Sequence, residues 1–122
     1  MANLNTVEIK AFVPAKDFEL SKRFYQDIGF TLASSDDDIA YLHYGHCSFL
    51  LQRYYVKEFA DNLMMHLLVE DVDAWSAHVR ARNIAQKYQV KVTEPEQQPW
   101  RMRDFILIDP SGVLWRIAQN TN

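Results

Sequence analysis

One cysteine, three glycines and four prolines are all that the 122 residues hold of the types that staple or punctuate a chain. Cys47 alone cannot close an internal disulfide, which fits a reducing cytoplasm. So little Gly and Pro excludes low-complexity disorder and fibrous repeats. No apolar run approaches the ~20 residues needed to span a bilayer. The start, "MANLNTVEIK", lacks the basic-then-apolar pattern of a signal peptide. Lys and Arg form no block and the formal net charge is −3, so the footprint of a nucleic-acid or anionic-membrane binder is missing. A cytoplasmic protein with neither kind of partner is expected.

What is present is apolar and aromatic. Hydrophobic residues make up 48% of a chain the size of one domain, and 7 Phe, 6 Tyr and 3 Trp can fill a core or line a cavity. "TVEIKAFVP" alternates, with Val7, Ile9, Ala11 and Val13 on one face and Glu8, Lys10 and Phe12 on the other, which predicts a strand. Asp17 then fits a helix N-cap, Phe18, Phe24, Tyr25 and Ile28 form a helical stripe, and Gly29 is a stop. "GFTLASS", "IAYLHYG" and "CSFLLQR" read as strands, with "DDD" at 36–38 a solvated turn.

"YYVKEFADN" breaks the alternation and reads as a connector. "LMMHLLVE" is the next strand, and Asp71 caps a helix carrying Val72, Trp75 and Val79 that frays near "ARNIAQ". "YQVKVTEPEQQP" holds a short strand and a proline-bounded loop, and "RMRDFILI" and "VLWRIAQ" close the chain around "DPSG", a type I turn pattern. The order strand, helix, three strands therefore occurs twice. The expected fold class is α+β: one domain of two βαβββ modules, about 5–53 and 62–120, with curved mixed sheets around a cleft.

With the repeat in view, "VPAKDFELSKRFYQDIGF" and "PWRMRDFILIDPSGVLWRIAQ" carry a resemblance to the vicinal oxygen chelate superfamily, which includes glyoxalase I, extradiol dioxygenases and bleomycin-resistance proteins. The chain is most similar to the bleomycin-resistance branch, over roughly residues 5–119. The resemblance implies sheets that form half-cups, pairing of two chains into a homodimer, and clefts between modules. In the enzymes of the superfamily a divalent metal is held by His, Gln or Glu on the first and last strand of each module. Counting seven residues back from each cap Asp gives Lys10 and Met64. Counting four on from each turn glycine gives Phe49 and Arg116.

None of these four is a usable ligand for a hard or borderline cation: an ammonium, a guanidinium, a phenyl ring and a thioether. The expected function is metal-free binding of a small organic molecule, planar or anionic, as in antibiotic or metabolite sequestration, with no cofactor and no metal. Lys10 and Arg116 would meet an anion, and Trp100 would stack on a ring. The plain reading of each cation is a pair with Glu8, Asp104 or Glu70. A register shifted by two puts His66 and Phe12 at the first-strand positions. Lys10, Phe12, Phe49, Met64, His66, Trp100 and Arg116 are thus the candidate ligand-binding residues. The alternative is a metal-dependent lyase, isomerase or dioxygenase with non-standard ligands such as His66. A third reading is a metal-free enzyme using Lys10, His66 or a tyrosine for acid–base work. Trp115 is expected in the core, Cys47 buried and His78 exposed.

Overall fold

The two acidic caps form as the sequence predicts. Asp17 accepts the Leu20 N–H at 3.1 Å and Asp71 that of Ala74 at 3.0 Å, each satisfying one of the free donors of a first helical turn. A computed structural model describes residues 2–122. The first half holds β1 (Phe12–Pro14), α1 (Phe18–Ile28), β2 (Thr31–Ser35), β3 (Ile39–Tyr44) and β4 (Cys47–Gln52). After α2 (Lys57–Asn62) the second half holds β5 (Met64–Leu68), α3 (Val72–Ala81), α4 (Ile84–Tyr88), β6 (Glu96–Gln98), β7 (Met102–Ile108) and β8 (Leu114–Asn120).

Each half builds a mixed four-stranded sheet with the same strand order, β1-β4-β3-β2 and β5-β8-β7-β6. In both, the first strand runs parallel to the last and the other pairs are antiparallel. One face of each sheet packs on helices. In the first it carries Val13, Ala40, Leu42, Phe49 and Leu51; in the second Leu67, Phe105, Leu107, Trp115 and Ile117. These side chains meet α1 and α3 in one continuous core, where Phe49 lies 4.9 Å from Tyr25 and 5.3 Å from Trp115, ring centre to ring centre. Gly29 ends α1 at φ 131°, a conformation a side chain resists, and a Cβ there would sit 3.1 Å from the Tyr44 ring.

Four expectations are corrected. The first strand covers Phe12–Pro14 only, rather than the whole of "TVEIKAFVP". Alternation detects an amphipathic segment but not what covers its apolar side, and Leu4, Val7 and Ile9 stand 87%, 98% and 93% exposed. The connector contains α2, and the stretch read as fraying contains α4, entered through Asn83 in the left-handed region at φ 56°. Cys47 is exposed rather than buried, because it follows the hairpin tip Gly45-His46. Trp115 is in the core, and His78 is exposed while its Nε2 donates to the Ile28 carbonyl at 2.6 Å.

The turn "DPSG" does more than reverse the chain. Asp109 Oδ1 accepts the N–H groups of Ser111 and Val113 at 2.8 and 2.9 Å, an Asx arrangement, and Oδ2 accepts the Tyr25 hydroxyl of α1. Trp115 Nε1 donates to the same Tyr25 oxygen at 2.9 Å, and Ser111 Oγ accepts the Lys16 N–H at 2.9 Å. This network ties the closing hairpin of the second half to the first. Burial raises the Asp109 carboxyl above the usual carboxylate range, opposed by the hydrogen bonds from Tyr25 and the backbone. The Tyr25 phenol is raised well above its ordinary value by burial, then by the facing carboxylate.

Candidate functional site

The faces of the sheets turned away from the helices are open. Strand alternation decides what stands there. On the second sheet, Met64, His66 and Leu68 of β5 share this face with Leu114, Arg116 and Ala118 of β8, and with Met102, Asp104 and Ile106 of β7. His66 is the direct cross-strand neighbour of Arg116. Arg116 Nη1 donates to Asp104 Oδ2 at 2.9 Å, and Gln98 Nε2 donates to the other oxygen at 3.0 Å. Asp104 is only 2% exposed, and this cation is its charged partner. Trp100, in the β6–β7 turn, places its ring centre 5.9 Å from the Arg116 guanidinium carbon. A planar cation with one edge paired and an exposed indole beside it can hold a carboxylate or a flat ring.

On the first sheet the same face carries Phe12, beside Leu50, with Tyr41, His43 and Ser48. Residues 2–11 lead onto it as an arm. Lys10 pairs with Glu8 at 2.7 Å, and Glu8 also accepts the hydroxyls of Tyr41, at 2.8 Å, and Ser48. The Glu8 carboxyl is lowered to about 2, first by the hydrogen bond from Lys10 and then by those from Ser48 and Tyr41. The facing carboxylate raises Lys10 in turn. Where β4 passes β5, a crevice of about 420 Å³ opens between Ser48 and His66, with Ile9 at its mouth and Phe49 and Trp115 as its floor.

Of the residues expected to bind a ligand, Met64, His66, Trp100 and Arg116 lie together on or beside the open face of the second sheet. Lys10 and Phe12 lie on that of the first. The two cations do not form one pocket: each has the carboxylate neighbour that its sequence context offered, Glu8 and Asp104. Phe49 is a correction. Its ring is 1% exposed and faces the helices, and it reaches the site only as crevice floor. The reason is strand phase. Each turn glycine stands two residues before the first paired residue of its last strand, but Cys47 opens β4 on the helix-facing side and Leu114 opens β8 on the open side. The same count from the glycine therefore lands on opposite faces in the two halves. Cross-strand pairing makes Leu50 the true counterpart of Arg116, and Phe12 that of His66. Gln98 and Ser48 escaped the sequence reading, as did the meeting of Glu8, its expected pairing with Lys10 aside, with Tyr41 and Ser48. Tyr41 and Ser48 were reachable, since alternation in adjacent antiparallel strands fixes a shared face; the contact with Glu8 was not.

The metal chemistry of the superfamily does not fit these side chains. The four corresponding positions hold Phe12, Leu50, His66 and Arg116: two hydrocarbons, one imidazole and one cation. Among the described residues no group of three or more His, Cys, Asp or Glu is placed to hold an ion.

The sequence matches the family model of the Glyoxalase/Bleomycin resistance protein/Dioxygenase superfamily over residues 4–117, and the chain belongs to that family. Solved structures share its fold. A bleomycin-binding protein complexed with bleomycin has TM-score 0.80 and 22% identity over 94% of this chain and 99% of its own. The bleomycin resistance determinant encoded on transposon Tn5 has TM-score 0.78 and 21% identity over 94% and 98%. The lactoylglutathione lyase of Agrobacterium tumefaciens has TM-score 0.70 and 14% identity over 94% of each chain. A search of curated protein sequences returns no match. No helix among the described residues is long and apolar enough to cross a membrane.

Proposed function

We propose that this single-domain chain is a metal-free binding protein for small organic molecules, acting in the cytoplasm as a homodimer that sequesters an antibiotic or metabolite. The observation that carries this reading is the donor set. A divalent ion at the four corresponding positions would meet one usable ligand, His66, and be repelled by Arg116 beside it. The same positions suit an organic guest: an apolar floor at Phe12 and Leu50 in one half, a guanidinium and an indole in the other. The likeness to a structure complexed with bleomycin supports the ligand class without selecting that compound.

The test is a panel of planar antibiotics and aromatic acids followed by tryptophan fluorescence, to which Trp100 should respond. At least one anionic aromatic compound is expected to bind, and Arg116→Met to weaken it about tenfold, the ~1.4 kcal/mol of one charge-assisted contact. Because Arg116→Met strands the Asp104 charge, it should also cost about 3 kcal/mol of stability. The double variant Asp104→Asn/Arg116→Met is the control: it should recover most of that stability and none of the affinity. Silence across the panel overturns the reading. A stoichiometric metal in protein purified without chelators, lost on His66→Ala, would establish the enzyme alternative.

The dimer is supported by uncovered apolar surface. Leu4, Val7 and Ile9 on the arm and Met64 and Leu68 on the edge strand β5 are exposed, more than an isolated chain benefits from presenting to water. A second copy is the occupant proposed for this surface. Light scattering should give twice the 14.3 kDa chain mass, and Val7→Glu/Ile9→Glu should halve it. A wild-type monomer at micromolar concentration rejects the dimer.

A further inference from the structure

The arm of residues 2–11 presents its apolar side chains to solvent and its charged ones to the domain, the reverse of a strand that packs for stability. Among the described residues, only two anchors tie it down by hydrogen bonds. The Ala11 carbonyl accepts the Leu50 N–H at 3.0 Å, at the root of the arm. Three residues further out is the Glu8 carboxylate. Its Oε1 accepts from Lys10 at 2.7 Å; its Oε2 accepts from the Tyr41 hydroxyl at 2.8 Å and from Ser48. Lys10 also lies 5.2 Å from the centre of the Tyr41 ring. Three donors thus converge on one carboxylate, on the open face beside Phe12 and Leu50. A shallow cavity of about 400 Å³ adjoins it, lined by Lys10, Tyr41, Leu50 and Ile39, with Ser34, Ser35 and the Asp36 carboxylate also on its wall.

We infer that Tyr41, Ser48 and Lys10 form a binding site for small organic carboxylates, filled in this state by the chain's own Glu8 as a tethered stand-in. The chemistry of the donors supports this: two hydroxyls and an ammonium all donate toward one point, an arrangement that favours an anionic acceptor over a neutral one. The apolar neighbours Phe12 and Leu50 suit the hydrocarbon part of an aromatic acid. Tethering explains why the site stays closed without partner or metal, since a carboxylate on a short flexible arm competes at an effective concentration in the millimolar range. A free acid must displace it; residues 2–8 are then released from the sheet, while Lys10, next to the Ala11 anchor, stays. The hydrogen bonds from Lys10, Ser48 and Tyr41 lower the Glu8 carboxyl, so the latch holds the charged form better than the neutral one.

This deepens the ligand-binding reading above and rests on it for the open face as the guest-holding surface, but it fails separately. Benzoate and its neutral counterpart benzamide are the probes, titrated by calorimetry into wild type, Glu8→Gln and Glu8→Gln/Tyr41→Phe. Amide spectra of residues 5–8 are followed in parallel. Glu8→Gln should bind benzoate at least tenfold more tightly than wild type, Tyr41→Phe should remove that gain, and benzamide should be indifferent to all three. In wild type, saturating benzoate should shift the arm resonances toward random-coil positions. Equal benzoate affinity in wild type and Glu8→Gln overturns the inference, as does no benzoate binding to either. Unmoved arm resonances at saturation overturn it too. If benzoate binding depends on Arg116 and ignores Glu8, the latch is rejected and the ligand-binding reading survives.

Discussion

Asp109→Ala should destabilise the protein by about 4 kcal/mol, read as a shift of the urea midpoint and a fall in Tm of roughly 12–15 °C. The carboxylate accepts two backbone N–H groups of its own turn and the Tyr25 hydroxyl, and Asp109 is buried. Removing it leaves three donors without acceptors, each worth about 1–3 kcal/mol when stranded, with some relief from water entering the loop. Tyr25→Phe should cost about 2 kcal/mol, since it strands Trp115 Nε1 and one carboxylate oxygen. The double variant should cost less than the sum, because both changes break the same network.

The pH dependence follows from the raised Asp109 carboxyl. A group that binds its proton more tightly folded than unfolded stabilises fully below its unfolded value. That contribution is lost as pH rises through the folded value. The stability difference between wild type and Asp109→Ala should therefore shrink as pH rises from the ordinary carboxylate range through the raised one. Comparing urea midpoints of the two proteins across that window isolates this slope from the opposite one contributed by Asp27 and Asp36, whose carboxyls are lowered.

Phe49→Ala should cost 3–5 kcal/mol and leave no contact with a ligand to explain it. The ring lies among Tyr25, Phe30 and Trp115 at 4.9, 5.3 and 5.3 Å, so truncation opens a void that rigid neighbours cannot fill. Leu50→Ala, one residue on and facing the other way, should cost much less stability and should change binding of an organic guest. Equal destabilisation by the two variants would contradict the facing assigned to β4.

The fold was legible because each half announces itself twice, once by an acidic cap and once by alternating strands. Caps and alternation are local, and local signals survive without knowledge of what packs on them. The short helices α2 and α4 were missed for the complementary reason. "KEFADN" and "IAQKY" are each too short to show a helical stripe, and they are held by tertiary contacts. The site was only partly legible. Met64 and His66 could be placed on one face because their spacing in β5 is even, and Arg116 was placed beside the cleft by the resemblance. Phe49 was misplaced because the two last strands leave their glycines in opposite phase, which no composition signal reveals. The pairing of Glu8 with Lys10 was legible because the two share a face of one segment, but its contacts with Tyr41 and Ser48 were not, since these lie 33 and 40 residues away.

Asp109 reaches Tyr25 across 84 positions, Ser111 reaches Lys16 across 95, and Trp115 reaches Tyr25 across 90. A hairpin that completes one repeat thus finishes the interior of the other. Neither repeat owns a free energy of folding that could be measured on its own. Melting should be a single calorimetric transition, and an ancestor with one repeat per chain would have had to fold and associate in the same step.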